Sequence, residues 1–110
     1  MTVTHIVLFR MKAGLDAQAI EEACQRVVDL RNACLHPSTQ QPYIKSFRAG
    51  RNNSPERRDG GFTHAFVAEF ETEEDRDYYV SMDPVHIALN KELVLVVEDF
   101  QVVDFSDGVL

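Results

Sequence analysis

Three histidines are set among hydrophobic residues: His5 in Val3-Thr4-His5-Ile6-Val7-Leu8-Phe9, His64 in Gly61-Phe62-Thr63-His64-Ala65-Phe66, and His86 in Asp83-Pro84-Val85-His86. Imidazole titrates near neutral pH. In an apolar cleft it suits removal of a proton from a carbon next to a carbonyl, while a phenol can hydrogen-bond the enolate that forms. Tyr78 and Tyr79 precede His86 by eight and seven residues, near enough across Pro84 to share a cavity with it. Neighbouring residues on a helix point in different directions, so only one of the two can face such a cavity. The remaining histidine, His36, stands before Pro37 at a helix end and reads as a surface residue. A three-histidine metal site would want the short ligand spacings of helical zinc motifs, which this chain lacks, and neither a metal nor another cofactor is expected.

The elements that must position these groups follow from periodicity. With a period of two, Val3, His5, Val7 and Phe9 share one strand face, and Phe62, His64, Phe66, Ala68 and Phe70 share one face of another. Two such rows side by side would make an apolar pocket holding imidazoles, lined by Val7 and Phe9. Between them, Gly14 breaks the chain and Asp16 can cap a helix running to about Cys34, with Ile20, Ala23, Val27, Leu30 and Cys34 as its apolar stripe. Tyr43 to Gly50 reads as a second strand, joined to the third by a long polar loop of turn formers. Thr72 followed by Glu73, Glu74 and Asp75 marks a second helix start, and Pro84 can open a further helical segment. The run Leu93 to Val97 fits helix or strand. The favoured division ends the helix near Val94 and starts a fourth strand near Asp99, running to Phe105.

The order β-α-β-β-α-β predicts an α+β, ferredoxin-like protomer with a four-stranded antiparallel sheet and helices on one face. The first and third strands are then central neighbours, so His5 and His64 fall on adjacent strands with the same parity. The first strand is apolar on its other face too, through Ile6 and Leu8, and that face needs its own cover. A second copy of the sheet is the simplest one, so a homodimer through the sheet faces is expected.

Composition narrows the partners. At 110 residues the chain makes one domain, residues 1–110, with a modest core. Its net charge of −7 argues against a nucleic-acid or anionic-membrane partner, both of which need clustered cations. There is no bilayer-length apolar run and no basic leader, so a soluble, cytoplasmic protein is expected. Cys24 and Cys34, about 15 Å apart along one helix, cannot bridge and fit a reducing compartment.

Taken together, His5-Ile6-Val7-Leu8-Phe9, Gly50-Arg51-Asn52, Gly61-Phe62-Thr63-His64, Asp83-Pro84-Val85-His86 and Val102-Val103-Asp104-Phe105 resemble the stress-responsive A/B barrel, or dimeric α+β barrel, family over nearly the whole chain. The resemblance implies a homodimer whose sheets form a barrel, with a cleft between sheet and helices in each protomer. Members include stress-associated plant proteins without an established reaction and a polyketide cyclase that works without a cofactor by aldol condensation. Carried across, His86 would be the acid or base with a tyrosine partner, and His5, His64, Val7, Phe9 and Tyr79 would line the substrate pocket. The Asp77-Tyr78 context favours Tyr78 as that partner. Ala23 and Val27 stand where the cyclase carries aromatic rings, which implies a pocket of different shape. Two functions are compatible with these residues: a cofactor-independent, polyketide cyclase-like enzyme or lyase acting on a hydrophobic carbonyl compound, and a non-catalytic stress-response barrel that binds a small molecule passively.

Overall fold

The computed structural model describes residues 1–110 and orders the chain as β1 (Val3–Met11), α1 (Ala17–Ala33), β2 (Ile44–Arg51), β3 (His64–Phe70), α2 (Glu73–Ser81), α3 (Pro84–Leu93) and β4 (Val97–Phe105). The strands form one sheet in the order β2-β3-β1-β4, with every neighbouring pair antiparallel. This is the α+β, ferredoxin-like arrangement expected from the element order.

The helix boundaries have local causes. Asp16 accepts a hydrogen bond from the Ala19 amide at 2.7 Å and opens α1, and Thr72 does the same for α2 through the Asp75 amide at 3.1 Å. Asp83 caps α3 through the Val85 amide at 2.9 Å, with Pro84 as the first helical residue. The β4 strand begins two residues before Asp99. The Leu93–Val96 turn delivers Val97 opposite Met11 across a register shift at Arg10 and Met11, and the Lys12 amide bonds the Val96 carbonyl at 2.8 Å.

The core lies between the sheet and the helices. Phe9, Phe66, Ala68 and Phe70 from the sheet meet Val27 and Leu30 of α1, Tyr79 of α2, and Leu89 and Leu93 of α3. Phe70 is fully buried, its ring within 5.1 Å of Tyr79 and 6.1 Å of Tyr43, centroid to centroid. Phe62 departs from the row expected of it. It precedes β3, and its ring lies under the Arg10 guanidinium, 5.9 Å from the centroid. The helix-free face carries Ile6 and Leu8, half-buried, beside the exposed Val103 and Phe105. No helix is long and apolar enough to cross a membrane.

Candidate active site

The register of the sheet sets the site. On the helix-facing side of β1, His5 lies between Ala68 of β3 and Asp104 of β4, Val7 between Phe66 and Val102, and Phe9 between His64 and Phe100. The cross-strand neighbour Asp104 therefore holds His5, with Nδ1 and a carboxylate oxygen 2.7 Å apart. Its other oxygen accepts from Arg76 of α2 at 2.7 Å, and Arg76 also donates to Asp77 at 2.7 Å. With Nδ1 donating to Asp104, Nε2 is the free nitrogen of His5. It makes no hydrogen bond within the chain, yet no buried side-chain nitrogen or oxygen is left without a partner, so this atom opens on the space that His5 lines.

That space is a cavity of about 840 Å³ between the sheet and the α2–α3 segment. His5, Val7, Phe9, Tyr79 and His86 all line it, as do Val27 of α1, Phe100 and Val102 of β4, and a polar group of Arg76, Asn90 and Asp104. Its volume falls in the range of small-molecule sites, and its lining is mainly apolar with a few convergent polar groups.

His86 is positioned by the start of α3. Its Nδ1 lies 2.8 Å from the Tyr79 carbonyl oxygen, which can only accept, so Nδ1 carries the proton and Nε2 the lone pair. The Asn90 amide reaches that lone pair at 3.2 Å from the exposed rim, one turn along α3. The imidazole stacks on the Tyr79 ring with centroids 3.9 Å apart and planes at 14°. Burial pushes the His86 pKa below its ordinary 6.5, against an opposing pull from the Tyr79 carbonyl. Hence the His86 imidazole is neutral at pH 7. Burial likewise raises the Tyr79 hydroxyl, which stays protonated and can donate a hydrogen bond.

The stability of the protein must register this titration. A histidine whose folded pKa lies below its unfolded value binds its proton more readily when unfolded. Stability is then fully present above pH 6.5 and is lost as pH falls toward the folded pKa. Denaturant unfolding at pH 7.5 and 5.5 is expected to show lower stability at the acid value, and His86→Gln is expected to flatten that difference. A wild-type slope unchanged in His86→Gln would contradict the assignment.

Two placements correct the sequence reading. Tyr78 does not line the cavity. Its ring meets Tyr43 edge to face at 5.7 Å, on the other side of α2, because the step of about 100° between successive helical residues gives the cavity to Tyr79. His64 shares the face of His5 but not its pocket. It sits four residues from Ala68, the cross-strand partner of His5, which is about 13 Å along the strand. There its Nδ1 meets the Thr63 hydroxyl at 2.8 Å, and burial, aided by Arg51, lowers its pKa. Arg76 and Asn90 carry no signal in the sequence that would mark them for the site, and Asp104 carries a weak one. A carboxylate inside the apolar stretch Val102 to Phe105 was the one available signal.

The described residues hold no cluster of three or more His, Cys, Asp or Glu side chains able to bind a metal. Cys24 and Cys34 are free thiols, and burial first, then Asp83, pushes Cys34 up to about 12.

A ferredoxin-like sheet with an imidazole-bearing cavity beneath its helices defines a class of small α+β barrels, and comparison with known proteins places the chain within it. Residues 3–107 match the stress responsive A/B barrel domain, and the chain belongs to that family. It is 27% identical to the stress-response A/B barrel domain-containing protein HS1 of Arabidopsis thaliana over 94% of this chain and 88% of that protein. Among solved structures it is similar to the hydroxynitrile lyase of Passiflora edulis, with 25% identity, a TM-score of 0.82, and coverage of 99% of this chain and 96% of that one. A dimeric ferredoxin-like protein from Jannaschia shares the fold at 21% identity and a TM-score of 0.75, covering 96% of this chain and 99% of its own.

Proposed function

We propose that the protein is a cofactor-independent enzyme acting on a hydrophobic carbonyl compound, with His86 as the base. The observation that carries this reading is the fixed tautomer of His86. A lone pair on Nε2, held by the Tyr79 carbonyl on the opposite nitrogen, lines an apolar cavity shared with His5 and Tyr79. In the reaction, Nε2 takes a proton from the carbon next to a carbonyl, the C–H electron pair becomes the C=C bond of an enolate, and the C=O π pair moves onto oxygen. The Tyr79 hydroxyl is the donor that meets that oxygen. The enolate then adds to a second carbonyl of the same molecule, the proton on His86 passes to the new alkoxide, and loss of water from the resulting aldol completes an aldol condensation. The similarity to a hydroxynitrile lyase supports a lyase-type reaction on this scaffold. In this proposal Tyr79 takes the role that the family resemblance gave to Tyr78, and His64 is left outside the site.

The test is an NMR titration with a panel of linear and aromatic carbonyl compounds. Shifts concentrated at His5, His86 and the methyls of Val7 and Val97 support the reading. Shifts without turnover for any compound favour a passive binder, and a panel that leaves these signals unmoved removes the cavity as a ligand site.

We further infer that the working form is a homodimer paired through the helix-free sheet face. Val103 of the edge strand β4, opposite Ile6 on that face, is 60% exposed, and dimeric ferredoxin-like proteins share the fold. Light scattering is expected to give twice the chain mass of 12.5 kDa. Val103→Asp is expected to shift the protein toward monomer, since an unpaired charge cannot be buried cheaply there. A monomeric wild type would refute the inference.

A further inference from the structure

The charge lining the cavity selects among carbonyl compounds. Arg76 is its one guanidinium, against the carboxylates of Asp77, Glu98 and Asp104, so imidazoles aside the lining carries a net charge of −2. Nor is that cation free. Its Nε donates to Asp77 and its Nη1 to Asp104, both at 2.7 Å, so its charge is already matched by the acids beside it. No lysine and no second arginine reaches the cavity. A ligand carboxylate, sulfonate or phosphate would leave water for a site with excess negative charge and no unpaired donor cation. Beside the imidazoles, the remaining wall carries no charged group: it is apolar surface including Phe9, Phe66 and Phe100, with Ser81, Asn90 and the Tyr79 hydroxyl as its neutral polar groups.

We propose that the cavity is selective for neutral hydrophobic carbonyl compounds, meaning aldehydes, ketones and uncharged esters, and excludes their carboxylate counterparts. This deepens the preceding proposal and rests on the cavity being the ligand site.

The experiment uses two dyes of matched shape, neutral N-phenyl-1-naphthylamine and anionic 8-anilino-1-naphthalenesulfonate, titrated by fluorescence into the intact protein at low salt and pH 7.5. The expected result is that the neutral dye binds about tenfold more tightly, is displaced by 2-nonanone, and that the gap narrows in 1 M salt. Asp77→Asn combined with Glu98→Gln is expected to narrow the gap several-fold. The control pair Glu21→Gln and Glu22→Gln, which removes the same charge from the exposed side of α1, is expected to leave it in place. Equal or tighter binding of the sulfonate, displaced by the ketone, overturns the selectivity while leaving the cavity as the site. A control pair that narrows the gap equally assigns the effect to overall charge and overturns it too. If neither dye is displaced by the ketone, the cavity is not the ligand site, and both proposals fall together.

Discussion

Replacing His86 with alanine is expected to slow turnover of a hydrophobic carbonyl substrate by about 10²- to 10⁴-fold, the usual contribution of a positioned general base. The Tyr79 carbonyl fixes which nitrogen carries the proton, the Tyr79 ring fixes the plane, and the Asn90 amide holds the lone pair by a contact at the exposed rim that a substrate can replace. Burial then keeps the ring neutral near pH 7. The loss should appear in kcat rather than KM, because the base acts on the developing charge more than on the bound ground state. His86→Gln keeps a polar side chain of similar reach but cannot take the proton, and it is expected to be as slow as alanine. If His86→Gln retains wild-type turnover, the base lies elsewhere, and His5 becomes the first candidate.

Replacing Asp83 with alanine is expected to cost about 3–5 kcal/mol of stability. Asp83 is 1% exposed, and its carboxylate accepts from the Tyr43 hydroxyl at 2.6 Å and from the Val85 amide at 2.9 Å. Three effects add. The cap of α3 is lost at about 1 kcal/mol, the Tyr43 hydroxyl is left buried and unpaired at about 1–3 kcal/mol, and a void opens beside Cys34 and Tyr43. Because α3 carries His86 three residues further on, the same change should loosen the base. Tyr43→Phe, which removes a donor but keeps the cap, is expected to cost only about 1 kcal/mol. Asp83→Asn, which retains an acceptor, should fall between the two. Chemical unfolding midpoints measure all three, and an Asp83→Ala loss within 1 kcal/mol of that of Tyr43→Phe would remove the cap and void from this account.

Asp83-Pro84 is a local signal, and the helix start it promises is where the chain puts it. Nothing in the sequence says that Tyr43, forty residues earlier, reaches back to the same carboxylate. The partner of His5 is more distant still. Asp104 lies 99 residues away and is brought alongside by the β1–β4 pairing alone.

The sequence by itself determined the order of elements, their caps and the parity of each strand, since these depend on interactions within a few residues. It therefore placed His5 and His64 correctly on one sheet face, and His86 just inside a helix. Only the tertiary structure decided register and rotation. Sliding β3 along β1 does not alter parity if the slip is even, yet it separates His64 from His5 by four residues. One helical step of about 100° likewise decides between Tyr78 and Tyr79, and the packing of α2 against the sheet gives the cavity to Tyr79. Register and helix rotation are set by the fit of whole surfaces, and a surface exists only once the chain has folded.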